Sequence, residues 1–117
     1  MATLTETLEF DATNQPLGRL AATVAKTLRG KHRPDFTPQA APRVRIRVKH
    51  VEHLALSARR RSAHRYRYSG YPGGLKDVAF GKAFAQNPER VFRAVVRAML
   101  PENRLRRHLL RNLTFSH

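Results

Sequence analysis

The segment LEFDATNQPLGRLAATVAKTLRG, from Leu8 to Gly30, decides the fold. Leu8 to Ala12 reads as a short first strand. Thr13-Asn14-Gln15 reads as a turn, with Asn14 or Gln15 capping a helix whose first turn contains Pro16. Leu17, Leu20, Ala21, Val24, Ala25 and Leu28 recur at the spacing of one helical face, and Gly30 is placed to end the helix. Arg43 to Lys49 then alternates strictly. Val44, Ile46 and Val48 point one way, and Arg43, Arg45, Arg47 and Lys49 the other. Strand, helix, strand is the opening of an α/β domain.

Outward from this unit the signals shorten. Lys31 to Pro38 is a basic loop punctuated by prolines. Val51 to Leu56 reads as a further strand, and His64 to Tyr68 as another. After a glycine-rich turn at residues 69–74, Val78, Phe80, Ala83 and Phe84 suggest a short helix interrupted by Gly81. Asn87-Pro88-Glu89 has the features of a helix start: a cap, a first-turn proline and an acid near the positive end of the dipole. Val91, Phe92, Val95, Ala98 and Met99 form its expected buried face, and Pro101 ends it. A last helix from Asn103 turns Leu105, Leu109 and Leu113 inward. The 117 residues make one domain, with residues 1–8 read as a flexible N-terminus.

Charge sets the class of partner. The chain has 23 Lys and Arg against 8 Asp and Glu, a net of +15. Residues 1–35 hold five cations and four acids, whereas residues 36–117 hold eighteen cations and four acids. Folding gains nothing from such self-repulsion, so the excess points to a polyanion: nucleic acid, an anionic membrane or an acidic protein. No apolar run is long enough to span a bilayer, and Met1 to Phe10 is acidic and resembles neither a signal nor a transit peptide. The absence of cysteine removes disulfides and thiolate zinc sites and fits a reducing compartment, with the cytoplasm as the default.

The richest cationic stretch is Arg59-Arg60-Arg61-Ser62-Ala63-His64-Arg65-Tyr66-Arg67-Tyr68, with five arginines and no acid. Arginine pairs bidentately with phosphate, and Tyr66, Tyr68 and Tyr71 offer rings on which unpaired bases stack. Arg104, Arg106, Arg107 and Arg111 crowd one short helix, while Arg90, Arg93 and Arg97 line one face of the helix before it. For that face, ordinary solvent exposure and RNA contact are equally good readings. Lys31 and Arg33 follow a helix C-terminus, where cations also favour the dipole.

Catalytic and metal signals are weak. His50 and His53, three apart in a strand or loop, should lie on opposite faces, and His50-Val51-Glu52-His53 is not the zinc-protease motif. We therefore expect no metal, cofactor or small-molecule substrate. Carboxylates are scattered, no Ser or Thr sits in a nucleophile motif, and Gly70 to Lys76 lacks a P-loop ending.

Ser69-Gly70-Tyr71-Pro72-Gly73-Gly74-Leu75-Lys76 closely resembles the signature turn of the L-thirteen family of large-subunit ribosomal proteins. Phe10-Asp11-Ala12 with Leu17 to Ala21, Leu28 to Pro34 with Phe36-Thr37-Pro38, Pro88 to Val91, and Met99 to Leu105 resemble further family blocks, in the family's order. The resemblance covers about Phe10 to Phe115. It implies a three-layer α/β/α domain with a small mixed sheet and no catalytic site. It also implies a role in organising large-subunit rRNA during assembly, beside neighbouring ribosomal proteins; with the cytoplasm as the default compartment, the place is the cytoplasmic ribosome, and a bacterial or organellar origin stays open. The implied rRNA contacts are Arg19, Arg29, Lys31 and Arg33, the turn from Tyr66 to Lys76, and Asn103 to Arg107. The cationic run Arg59, Arg60, Arg61, Arg65 and Arg67 joins them on charge. Within the turn, Ser69 and Tyr71 accompany Gly70, Gly73 and Gly74, glycines that let the backbone turn tightly and approach a sugar-phosphate chain.

Three features depart from the family pattern. Tyr68 stands where histidine is usual. The Arg43–Lys49 strand, normally apolar on both faces, carries four cations on one of them. Residues 112–117 read as a shortened C-terminal tail. Two other functions fit the charge alone: a basic regulator of mRNA or DNA outside the ribosome, and an enzyme acting on RNA.

Overall fold

The computed structural model describes residues 6–34, 38–39 and 42–116. Strand β1 (Glu6–Asp11), helix α1 (Leu17–Leu28) and strand β2 (Val44–Lys49) form the expected opening unit. All six apolar positions read as one face of α1 are buried. Pro16, not Asn14 or Gln15, holds the N-cap position, and it has no side-chain cap; Asn14 instead takes a left-handed backbone turn at φ 57°. β1 starts at Glu6, so the last three residues of the segment read as a flexible N-terminus are strand. Residues 1–5, and residues 35–37 of the proline-punctuated loop, lie outside the described residues.

β2 is the central strand of a parallel three-stranded sheet ordered β1-β2-β5, where β5 is Leu113–Ser116. Residues 113–116 are thus sheet rather than tail, and Leu113 is buried as a strand residue, not as part of the last helix. Val44, Ile46 and Val48 are fully buried and share their face with Leu8 and Phe10 of β1 and with Leu113 and Phe115 of β5. Helices α1 and α4 (Pro88–Met99) cover that face, with Phe92 of α4 meeting Phe115 edge-on at 6.0 Å between ring centroids.

The opposite face explains the arginines of β2. Thr7, Glu9 and Asp11 of β1, Arg45 and Arg47 of β2 and Thr114 of β5 are exposed there. The α/β class and the mixed set of strands are as expected, but among the described residues the layered cover of this sheet is one-sided. A parallel strand buried on both faces would be apolar throughout; β2 is buried on one face, and its sequence alternates accordingly. Glu9 receives Lys49 at 2.8 Å and Arg47 at 3.4 Å across the register. The hydrogen bond and charge of Lys49, followed by Arg47, hold the Glu9 carboxyl below its ordinary pKa despite its exposure.

The remaining elements depart more from expectation. Val51–His53 is a 3₁₀ turn rather than a strand, entered through His50 at φ 56°. Ser57 caps a five-residue helix α2 (Ala58–Ser62), its hydroxyl accepting from the Arg60 amide at 3.1 Å. β3 (His64–Tyr68) pairs antiparallel with β4 (Leu75–Ala79). Val78 therefore belongs to a strand, and the helix after it, α3 (Phe80–Gln86), starts at Phe80. On α4 the buried positions are Val91, Phe92 and Val96, with Val95 partly buried, whereas Ala98 and Met99 are exposed. Leu100, in extended backbone, turns into the core in their place. The last helix, α5 (Leu105–Arg111), buries Leu109.

The start of α4 follows the sequence closely. The Asn87 side chain accepts a hydrogen bond from the Arg90 amide at 3.1 Å, with Pro88 in the first turn. Replacing Asn87 by Ala should lower stability by about 1 kcal/mol, as loss of an N-cap generally does. Chemical denaturation of the two proteins checks this.

Candidate nucleic-acid interface

Two helical stripes of arginine face each other across one groove. Arg90, Arg93 and Arg97 recur at i, i+3 and i+7 along α4, and Arg104, Arg107 and Arg111 repeat that spacing at and along α5. The turn between the helices brings the stripes together. Arg93, Arg97, Arg104, Arg106, Arg107 and Arg111 line a depression of about 650 Å³ with Asn103 and Leu110. It continues through Arg65, Arg90 and Glu102, then into a groove lined by Arg65, Arg67, Lys76 and Arg90 between the β3–β4 hairpin and α3–α4. The path runs over α5, α4, α3 and the β3–β4 hairpin and meets one acid, Glu102, which is 88% exposed and lies 3.7 Å from Arg106.

The groove is fixed to the core from below. The Arg93 guanidinium lies 5.4 Å above the Phe115 ring and donates to the Leu113 carbonyl at 3.4 Å, which ties the α4 stripe to β5. Asn103 accepts from the Arg106 amide at 3.1 Å and so sets the first turn of α5. Rigid bases let planar guanidinium forks meet phosphates with little further ordering.

The hairpin divides its side chains by the period of two. Arg65 pairs with Val78 and Arg67 with Lys76, all on the groove face. His64, Tyr66, Tyr68, Leu75 and Asp77 occupy the opposite face, and Tyr66 also borders the groove. The connecting turn closes with Gly74 N–H donating to Tyr71 at 2.9 Å and Ser69 N–H donating to Gly74 at 3.2 Å. Gly70 and Gly73 have φ of 91° and 73° and open space around them. Gly74 is confined differently: a Cβ there would collide with Ser69 Oγ and stand 2.9 Å from the Tyr71 carbonyl. A side chain at Gly74 would thus distort the turn itself, whatever the turn contacts.

The other sequence-derived residues do not join this path. Arg19 is exposed in the first turn of α1. Arg29, Lys31 and Arg33 surround the far end of α1 beside Gly30. Arg59, Arg60 and Arg61 sit on α2, where Arg60 lies 5.3 Å above the Phe80 ring and so also braces α3. Conversely, Arg90, Arg93, Arg97 and Arg111 line the groove although the family resemblance does not single them out. Their i, i+3, i+7 spacing was the available signal.

The reading of His50 and His53 requires correction. The 3₁₀ turn brings residues three apart onto one side. Their rings lie 6.0 Å apart, and with Glu52 their ligand atoms fall within 4.8 Å of one another. Asp11 beside them is held below its ordinary pKa, first by hydrogen bonds from Thr13 and then by the charges of His50 and Lys49.

A profile of the family described as Ribosomal protein L13 matches residues 5–115. Large ribosomal subunit protein uL13 of Natranaerobius thermophilus is 44% identical over 105 residues, covering 89% of this chain and 73% of the relative. The uL13 proteins of Caldicellulosiruptor saccharolyticus and Roseiflexus castenholzii are 43% and 46% identical, each over 89% of this chain and over 74% and 72% of the relatives. With the match running from the first strand to the last, the chain belongs to the Ribosomal protein L13 family.

Proposed function

We propose that the chain is a structural constituent of the large ribosomal subunit, organising its rRNA during assembly through arginine–phosphate contacts. It is not an enzyme, and it works in the cytoplasm, within the ribosome, beside rRNA and other ribosomal proteins. The observation that carries the mechanism is the continuous arginine-lined path from α5 across α4 to the hairpin. Such a path matches the spaced charges of an RNA backbone, where contacts position the protein without reading sequence. We assign the main contacts to Arg65, Arg67, Lys76, Arg104, Arg106 and Arg107, joined by Arg90, Arg93, Arg97 and Arg111. Arg19, Arg29, Lys31, Arg33, Arg59 and Arg61 lie apart and fit contacts with other rRNA segments.

Sedimentation of a cell extract tests the reading. The chain should travel with large subunits and their assembly precursors. Exchanging Arg97, Arg107 and Arg111 for Glu should move it to the top of the gradient while leaving the purified protein folded. A wild-type chain that stays at the top, or that travels with mRNA or DNA instead, would overturn it.

A further inference from the structure

On a protein of net charge +15, one face of the β3–β4 hairpin carries no Lys or Arg. That face carries His64, Tyr66 and Tyr68 at every second position of β3, with Leu75 opposite Tyr68 and Asp77 opposite Tyr66. Tyr66 is 68% exposed, Tyr68 64% and Leu75 61%. A two-stranded ribbon is marginal alone in water, and an exposed aromatic and aliphatic row on one marks a surface awaiting a partner.

The geometry points to unpaired nucleobases as that partner, stacked on the His64–Tyr66–Tyr68 row, so that the hairpin engages single-stranded rRNA rather than duplex. This rests on the rRNA reading above and adds base contacts to it. Three observations favour bases. Alternate residues of a strand stand about 6.6–6.8 Å apart, which is two stacking intervals of about 3.4 Å. The His64 and Tyr66 ring centroids are accordingly 6.3 Å apart, with planes tilted by 33°, close to the two stacking intervals that one base between them needs. Asp77, 3.2 Å from His64, repels phosphate but can accept from the amino group of a base edge. Finally, Arg65, Arg67 and Lys76 of the same two strands line the arginine groove and Tyr66 borders it too, so a backbone held in the groove can lead its neighbouring nucleotides round the ribbon onto the aromatic row. Arg65 and Arg67 hold phosphate; Tyr66 and Tyr68 hold bases.

Binding of the full chain to a single-stranded oligoadenylate and to an RNA duplex of equal length, each followed across a salt series, separates these roles. Tyr66→Leu with Tyr68→Leu keeps the cross-strand packing but removes the rings. It should weaken oligoadenylate binding at least tenfold, as the loss of base–ring stacks does. Duplex binding and the salt slope should stay unchanged. Tyr66→Phe with Tyr68→Phe should bind like wild type. Arg65→Gln with Arg67→Gln should instead flatten the salt slope for both probes.

Leucine variants that bind oligoadenylate normally would overturn the base-stacking face while leaving the groove intact. So would phenylalanine variants as weak as the leucine ones. Leucine variants that keep RNA affinity but lose a neighbouring ribosomal protein from purified subunits would show a protein-docking face instead. If the arginine variants also leave both probes unaffected, the rRNA reading itself fails.

Discussion

Raising salt from 50 to 200 mM should weaken binding of the chain to a large-subunit rRNA fragment by about 10³–10⁵-fold, the fall expected for six to ten phosphate contacts. The groove supplies that many cations: Arg93, Arg97, Arg104, Arg106, Arg107 and Arg111 at one end, and Arg65, Arg67, Lys76 and Arg90 at the other. Each contact displaces condensed counterions, so log affinity should fall linearly with log salt, at about 0.7–0.9 per phosphate contacted. Exchanging Arg97, Arg107 and Arg111 for Gln should therefore flatten the slope by about 2–3. These three project from the exposed faces of α4 and α5, and their loss leaves the buried positions of both helices untouched. Arg93 and Arg106 make poorer probes, because Arg93 is tied to Leu113 and Phe115, and Arg106 is 21% exposed beside Glu102. A slope that stays constant in the triple variant would remove the groove from the interface. A wild-type affinity indifferent to salt would remove phosphate contact as the mechanism.

The parts of this molecule that were legible in the sequence are those where one periodicity runs long enough to dominate. Twelve residues of α1 carry an uninterrupted apolar stripe, and all of it is buried. β2 alternates over its whole length, and the alternation reports correctly that only one face is covered. The short elements were illegible for separate physical reasons. Val51 and Leu54 suggest a strand, but His50 takes a left-handed backbone and starts a 3₁₀ turn, which buries Val51 at its start and Leu54 just past its end. Val78 looks like the first apolar position of a helix, yet its amide and carbonyl belong to the ladder with Arg65. In α2 three consecutive arginines conceal the Ser57 cap that starts the helix. The candidate interface was half legible: each arginine stripe is readable from its spacing, but their convergence depends on the α4–α5 turn. The division of the hairpin into a cationic and an aromatic face needs the β3–β4 register.

The same distinction can be tested on stability at α4. Phe92→Ala should cost about 3–5 kcal/mol, because Phe92 is fully buried and its ring meets Phe115 across the helix–sheet boundary. Removing it leaves a cavity where α4 rests on β5, and the surrounding strands can close it only partly. Domains of this size have a total stability of about 5–15 kcal/mol, so the variant should melt about 12–20 °C lower, at about 4 °C per kcal/mol. Met99→Ala supplies the contrast. Helical spacing alone assigns Met99 to the same buried face, yet it is 43% exposed, because Leu100 leaves the helix and fills the core instead. Its loss should cost no more than about 0.5 kcal/mol, the usual range for surface positions. Equal destabilisation by the two substitutions would mean that α4 is rotated about its axis relative to the arrangement described. That rotation would also turn Arg93 and Arg97 away from α5, so the melting temperatures of these two variants bear directly on the arginine groove.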